Sequence, residues 1–560
     1  MSRHPTFTVQ GQPFLSLGGQ AFNSNSYQLS DLDDAWRATR AIGGNTVAVS
    51  IPWDAFEPEE GCYRPEFVTR LIDRARQEGL HLILLWFATW KNGTMEYCPA
   101  YVKRDARRFP RVVCRDGSVL PDLSPHVAAN LEADARAFCA LMATLRDYDG
   151  DTQTVLAVQV ENEPGYFGGT RRDFGPEGEA AWRQPVPEAV LRYAREHPES
   201  RLADFWRRAG SRFAGTWPEV FGRYGAEGFT AWAIARYIDA IAERGKAVYD
   251  LFCYVNVALD GGVRDTGFGV ASLDNFGGGA YSKNLDVWYA ACTALDAICP
   301  DNYQNDERRH TEMLDTYAHP EAGWPLYIPE SYQPDFCAPD YSGNSINNAQ
   351  MFYALGERGA IGYHIFGVEA CLNEDGSLEE GACQVARSFR MLSSVAPLLQ
   401  RYRGTGRIHA ICQAVGESGF LMELSAWKAN VAFAGLGTGW HVMDYRHRRA
   451  SRGEGAGLTD FGAERARGLV IEVADNEFYL VGHQCRVLFN RYEPLDGSLP
   501  VSLLNTRYQT HATCFETLTE GHLDDRGAYV ADRVRSGDEA RAGIWLMADC
   551  GVLHVVLGDY

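Results

Sequence analysis

Over the first 400 residues, short apolar runs alternate with amphipathic helical stretches, and this alternation constrains the fold more than any other feature. The run 81–87, His-Leu-Ile-Leu-Leu-Trp-Phe, is apolar after its first residue. That is the pattern of a strand buried on both faces, as in a parallel sheet. Comparable runs fall at 14–17, 45–51, 155–160, 253–259, 297–299, 326–329 and 360–366. Helical signals separate them. Ser30 to Asp33 reads as a helix start and Gly43-Gly44 as its end; Pro65 opens the next helix and Gly79 closes it. Repeated strand–helix units with right-handed crossovers give a doubly wound sheet or a closed barrel, and eight units favour the barrel. The expected fold is therefore α/β, a (β/α)8 TIM barrel over residues 1–403. The stretch from about 166 to 227 is too long for a simple connection. It carries Trp182, Trp206 and Trp217 and reads as an insertion after the fourth strand that caps one rim. From 404 to 560 the pattern changes to short alternating strands separated by turn residues, which predicts an antiparallel β-sandwich domain.

Charge and cysteine content narrow the function classes. With 53 Lys and Arg against 73 Asp and Glu, the net charge is −20, which repels phosphate backbones and argues against a nucleic-acid role. No run of 18 apolar residues is present, so no membrane-spanning segment is expected, and the opening MSRHPTFTVQGQPF lacks the apolar core of a signal peptide. These features predict a cytoplasmic protein. The 14 Cys are scattered, with no CxxC or Cys/His cluster of zinc spacing, and read as buried free thiols. No metal and no organic cofactor is expected.

Active sites of such barrels lie at the C-terminal ends of the strands. Two predicted strands place a carboxylate there: the fourth runs into Glu161-Asn162-Glu163, and the seventh into Glu330. Facing carboxylates are what glycosidic cleavage needs, one to protonate the departing oxygen and one to attack the anomeric carbon. A negative Glu330 would raise the partner's pKa and keep it protonated. The Asn162 amide suits the sugar 2-hydroxyl. Glu161 shares strand parity with Glu163 but is read as structural, because only Glu163 lies past the strand end. Trp90, Lys91 and Asn92 follow the third strand as an aromatic, a cation and an amide, a combination that fits a sugar subsite. Tyr303 after the sixth strand, Glu57 in a Glu-Pro turn and His364 in the eighth strand complete the candidate substrate-binding set, with Asn275 and Gly277 to Gly279 as weaker candidates.

These motifs have a family look. Val160-Glu161-Asn162-Glu163-Pro164-Gly165 resembles the fourth-strand motif of clan A glycoside hydrolases, with Pro164 where family 35 usually has Tyr. Ile51-Pro52-Trp53-Asp54-Ala55-Phe56-Glu57-Pro58-Glu59-Glu60-Gly61 is similar to the second-strand segment of families 35 and 42. Leu85 to Gly93, Tyr97 to Lys103, Arg108 to Arg111 and Gly359 to Gly367 resemble a family 35-like branch with an extra C-terminal β domain. The resemblance implies a retaining exo-β-glycosidase, most often a β-galactosidase, acting on terminal β-galactosyl residues of small oligosaccharides or glycosides. It puts Glu163 at the acid/base position and Glu330 at the nucleophile position. His364 and Phe366 stand where the clan commonly has Trp, which leaves the sugar open: β-mannosidase, β-glucosidase and α-L-arabinopyranosidase activities are the alternatives, with a non-catalytic carbohydrate-binding barrel and a metal-dependent barrel enzyme as rivals of another class. The expected partner is a carbohydrate substrate, with no nucleic acid and no membrane, and a homo-oligomer is expected.

Overall fold

The structure is a computed structural model that describes residues 3–166, 170–258, 277–304, 307–332, 342–414, 416–433, 464–490, 514–541 and 543–558. Asn275 and Leu259 lie outside the described residues.

Seven parallel strands form one curled sheet, Ser16–Gln20, Thr46–Pro52, His81–Lys91, Val155–Asn162, Phe252–Val257, Ala297–Pro300 and Gly362–Phe366. They pair in chain order, and the last pairs with the first. The segment 326–331 fills the remaining gap. Ile361 N donates to Leu326 O at 2.8 Å and His364 N to Ile328 O at 2.8 Å on one side, and Asn302 N to Glu330 O at 2.9 Å on the other. Two isolated bridges, Ile328↔Tyr363 and Asn302↔Ser331, take the place of a ladder. Pro325 and Pro329 explain this, since neither has an N–H to give a neighbouring strand. The result is a closed eight-position barrel, as the strand count predicts, with its seventh position held by bridges alone.

The barrel has two apolar layers. In the third strand Ile83, Leu85 and Phe87 point inward, where they meet Ala157, Tyr254, Cys299 and Tyr327. Leu82, Leu84 and Trp86 point outward against the helices. This is the period of two on a strand buried on both faces. Phe7, at the head of a small hairpin (Thr8–Val9 with Gln12–Pro13), plugs the floor, its ring centroid 4.8 Å from Phe252 and 5.1 Å from Tyr327. The helix Glu66–Glu78 buries Val68, Leu71, Ile72 and Ala75, a single stripe, and ends at Gly79 with φ of 68°. Only glycine takes that left-handed turn without strain, hence the sharp stop.

The insertion after the fourth strand forms four short helices, Pro176–Trp182, Glu188–Glu196, Arg201–Arg208 and Trp217–Phe221. They pack on the long helix Gly225–Val248 and on Leu285–Ala291. Trp217 lies over Gly225 and Gly228, whose missing side chains make room for it. The long helix begins at the end where the strands finish, so the insertion sits on the mouth side.

The C-terminal part is a β-sandwich. A six-stranded antiparallel sheet faces a four-stranded one. Phe478, Leu480, Val555 and Leu557 from the first meet Val431, Val487, Phe489 and Leu546 from the second. The opposite face of the six-stranded sheet packs on the barrel, because Ile408, Leu469, Ile471 and Val552 belong to the same apolar cluster as the barrel helices. The buried Arg467 ties the two parts: Nε donates to Ser388 Oγ at 2.7 Å and Nη2 to the Gln384 carbonyl at 3.1 Å. The 13 described cysteines are all free thiols, most of them buried.

Candidate active site

The fourth strand sets the site through a break in its own alternation. Val158 and Val160 face the helices, and Ala157 faces the interior. Strict alternation would aim Glu161 inward. Glu161 instead takes φ of 64°, a left-handed backbone that costs a non-glycine residue about 1–3 kcal/mol. Its carboxyl turns outward, accepts from Trp90 N at 2.7 Å, and lies against Asp134 on the helix Ala128–Asp149. Asn162 thereby takes the inward place. Its Oδ1 accepts from Gln159 Nε2 at 3.1 Å and from Asn256 Nδ2 at 3.2 Å. Its Nδ2 has no partner among the described residues, which leaves a donor available. Glu163 follows with φ of 44°, its N–H donating to Asn256 Oδ1 at 2.9 Å. Two strained carboxylate-bearing residues at one strand end are the kind of outlier that clusters at functional sites.

The third strand end supports Glu163. Asn92 has φ of 51°, which asparagine tolerates better than most residues. Its N–H donates to Asn162 O at 3.1 Å, fastening the two strand ends together. Its side-chain amide donates to Glu163 Oε2. Lys91 Nζ donates to the Asn92 amide oxygen and lies 5.1 Å from the Phe87 ring centroid.

Glu330 sits across the mouth at 7% exposure. Tyr303 OH donates to its Oε2 at 2.9 Å, and Gln20 adds a side-chain hydrogen bond. Burial pushes the Glu330 carboxyl up to about 7, and the Glu163 charge adds to the rise, while Lys91, Tyr303 and Gln20 oppose it. Glu330 is thus an acid pushed up at this mouth, as is Asp301 beside it.

Of the expected site residues, Glu163, Glu330, Asn162, Lys91, Asn92 and Tyr303 come together. Three do not. Glu57 is fully buried, and its carboxylate is taken up by Trp53 Nε1 at 2.8 Å, Gly61 N at 2.7 Å, Tyr101 OH at 2.9 Å and Arg136 Nη2 at 3.4 Å. It braces the turn after the second strand and has no lone pair to spare for a sugar. Trp90 belongs to the outer layer, fully buried with its ring edge-on to Tyr237 at 5.1 Å. The ladder between the third and fourth strands shifts register between Trp86 and Lys91, which upsets the simple count of faces. His364 is a core histidine, bonded through Nε2 to Ser16 Oγ at 2.8 Å and through Nδ1 to Tyr327 OH at 3.0 Å. Burial pushes its imidazole down to about 3, so it stays neutral.

Four residues escaped the sequence reading: Gln20, Gln159, Asn256 and Asp301. Each is a buried polar side chain in the C-terminal half of a barrel strand or just past its end. Position and polarity together were the available signal. Asp301 Oδ2 accepts from Asn256 Nδ2 at 2.8 Å, and its carboxyl is within hydrogen-bond reach of Glu163. Among the described residues no group of three His, Cys, Asp or Glu side chains is arranged to hold a metal ion.

Comparison with known proteins adds the following. A family model described as "Domain of unknown function (DUF5597)" matches residues 385–547, from inside the helix Glu380–Ser394 through most of the β-sandwich. No curated protein matches the chain in sequence. The catalytic domain of β-amylase from Paenibacillus polymyxa superposes with a TM-score of 0.47 at 11% identity, covering 67% of this chain and 97% of that one. β-Galactosidase from Bacillus circulans sp. alkalophilus gives 0.45 at 13%, covering 69% and 57%. The exo-β-1,4-mannosidase Op5Man5 from Opitutaceae bacterium strain TAV5 gives 0.42 at 14%, covering 70% and 62%. The chain therefore spans less than two thirds of the galactosidase and of the mannosidase. At this distance the barrel assignment stands on the strand pairing and the apolar layers described above.

Proposed function

We propose that this protein is a retaining β-glycosidase, most specifically a β-galactosidase acting on terminal β-galactosyl residues of small oligosaccharides or glycosides. One observation carries the reading: strand ends four and seven of a single barrel present Glu163 and Glu330 in electrostatic contact, each held by its own neutral donor, Asn92 and Tyr303. In the first half of the reaction Glu330 attacks the anomeric carbon while Glu163 protonates the departing oxygen. A glycosyl ester forms on Glu330. Glu163, now ionised, deprotonates a water that releases the sugar with its original configuration. The available Asn162 Nδ2 supports a hydrogen bond to the 2-hydroxyl, a contact that strengthens as the ring gains oxocarbenium character.

The test is a panel of chromogenic β-galactoside, β-mannoside, β-glucoside and α-L-arabinopyranoside substrates, with the first-formed product followed by proton NMR. The reading expects the β-galactoside to be cleaved fastest and to give the β-anomer first. Preference for another sugar with retention would keep the mechanism and change the specificity. Initial release of the α-anomer, or no cleavage of any of the four, would contradict the reading.

A further inference from the structure

We propose that Asp301 is a positioning residue: a neutral carboxylic acid that donates a hydrogen bond to Glu163 and holds the acid/base in place. The inference rests on the glycosidase reading for the role of Glu163 and on local geometry for the rest. Asp301 is completely buried just beyond the sixth barrel strand. Its Oδ2 accepts from Asn256 Nδ2 at 2.8 Å, and its Oδ1 meets no donor among the described residues. What does lie within hydrogen-bond reach is another carboxyl, that of Glu163. Two carboxyl groups in contact with no donor between them are compatible only when one carries a proton. Asn256 joins the same two residues from the other side, giving its amide N–H to Asp301 and its oxygen to the Glu163 N–H. Asp301 and Asn256 therefore fix both the backbone and the side chain of Glu163.

The charge balance says which acid keeps the proton. The groups acting on Asp301 are the acids Glu163 and Glu330 and the cation Lys91, and Asp301 in turn bears on the weak acids Tyr254, Tyr303, Tyr327 and Cys299, all held neutral by burial. Three ionised carboxylates against one ammonium would leave a net charge of about −2 in a buried pocket, which desolvation forbids. Asp301 is the most enclosed of the three, and burial together with both neighbouring acids pushes its carboxyl well above the usual carboxylate range. A neutral Asp301 also serves catalysis. Its hydrogen bond orients the Glu163 carboxyl, which must act first as acid and then as base.

The experiment compares wild type with Asp301→Asn and Asp301→Ala, by the pH dependence of kcat/KM on an aryl β-glycoside and by infrared difference spectra at pH 7. The amide of Asp301→Asn still donates a hydrogen bond and carries no charge. Asp301→Ala should therefore lower kcat at least about tenfold further than Asp301→Asn does, with KM moving by less than about threefold. The acid limb of Asp301→Asn should stay at the wild-type pH. A limb displaced downward by half a unit or more would mean that a negative charge had been removed, and equal kcat losses in the two variants would mean that the donated bond has no role; either overturns the proposal. The infrared arm does not depend on turnover. Glu161 and Glu330 contribute equally to both spectra, so the wild-type-minus-Asp301→Asn difference is expected to hold one protonated-carboxyl band, and a difference without it overturns the assignment. A wild type that cleaves no glycoside, but whose band disappears in Asp301→Asn, would sink the glycosidase reading and leave Asp301 neutral.

Discussion

A double displacement needs an ionised Glu330 and a protonated Glu163 at the same moment. Burial and the neighbouring Glu163 push the Glu330 carboxyl up to about 7. Its ionisation is thus the step that admits substrate to reaction, and kcat/KM should rise with pH toward a plateau above about 7, because the free enzyme's acid limb reports that group. A profile already flat from pH 5 to 7 would contradict the assignment. Replacing Glu330 by Gln should lower kcat by about three orders of magnitude or more, the scale of losing an essential nucleophile. Glu163→Ala should lose turnover comparably on a poor leaving group and regain it on an activated aryl glycoside when azide is added, yielding a β-glycosyl azide. The placement of the two acids at the barrel mouth was legible in the sequence. Glu163 and Glu330 could be read because each stands where an apolar run stops. The orientations of Glu161 and Asn162 could not, because alternation fails at a residue with positive φ, and no pattern of apolar residues encodes that. Asp301 was passed over for Tyr303 two positions on, although both stand at the same strand end.

Elements explain which wider predictions held. The outer face of the fourth strand carries a second carboxyl pair, Glu161 with Asp134, where Asp134 also accepts from Trp86 Nε1 at 2.9 Å and Thr89 Oγ1 at 2.5 Å. Burial and the neighbouring Asp134 push Glu161 well above the usual carboxylate range. A raised folded-state pKa means that the folded protein holds a proton that the unfolded chain has released. This contribution to stability is complete below the unfolded value of about 4.3 and declines as pH rises above it. Glu161→Gln, which cannot ionise, should therefore show a shallower fall in Tm between pH 5 and 8 than wild type; an equal or steeper fall would argue against a shared proton there. The seventh barrel position was visible in sequence as an apolar run, yet its lack of a ladder follows from Pro325 and Pro329. Glu57 and Trp90 were misplaced for a related reason. The first is folded back by its Glu-Pro turn, and the second lies beyond a register shift, so neither points where an ideal strand would aim it.

At the scale of the whole molecule, one apolar interface joins the barrel helices to the outer face of the sandwich, and the buried guanidinium of Arg467 adds a polar tie beside Glu464, 2.8 Å away. Unfolding by scanning calorimetry should accordingly be a single transition. Arg467→Met should lower its midpoint, since removing one partner of a buried pair costs about 3–5 kcal/mol. Two separated transitions in wild type would show the domains to be independent. The change of pattern near residue 404 made the two parts legible in the sequence. Their apolar interface was not, because Leu469 and Ile471 read only as sandwich residues until the fold brings them against the barrel helices. The central claim is that Glu330 forms the covalent bond to the sugar. An activated 2-fluoro β-galactoside, incubated with the full-length protein and followed by peptide mapping, tests it directly. The account predicts stoichiometric inactivation with the label on Glu330; a label on any other residue, or full activity retained toward the unsubstituted galactoside with no label at all, would contradict it.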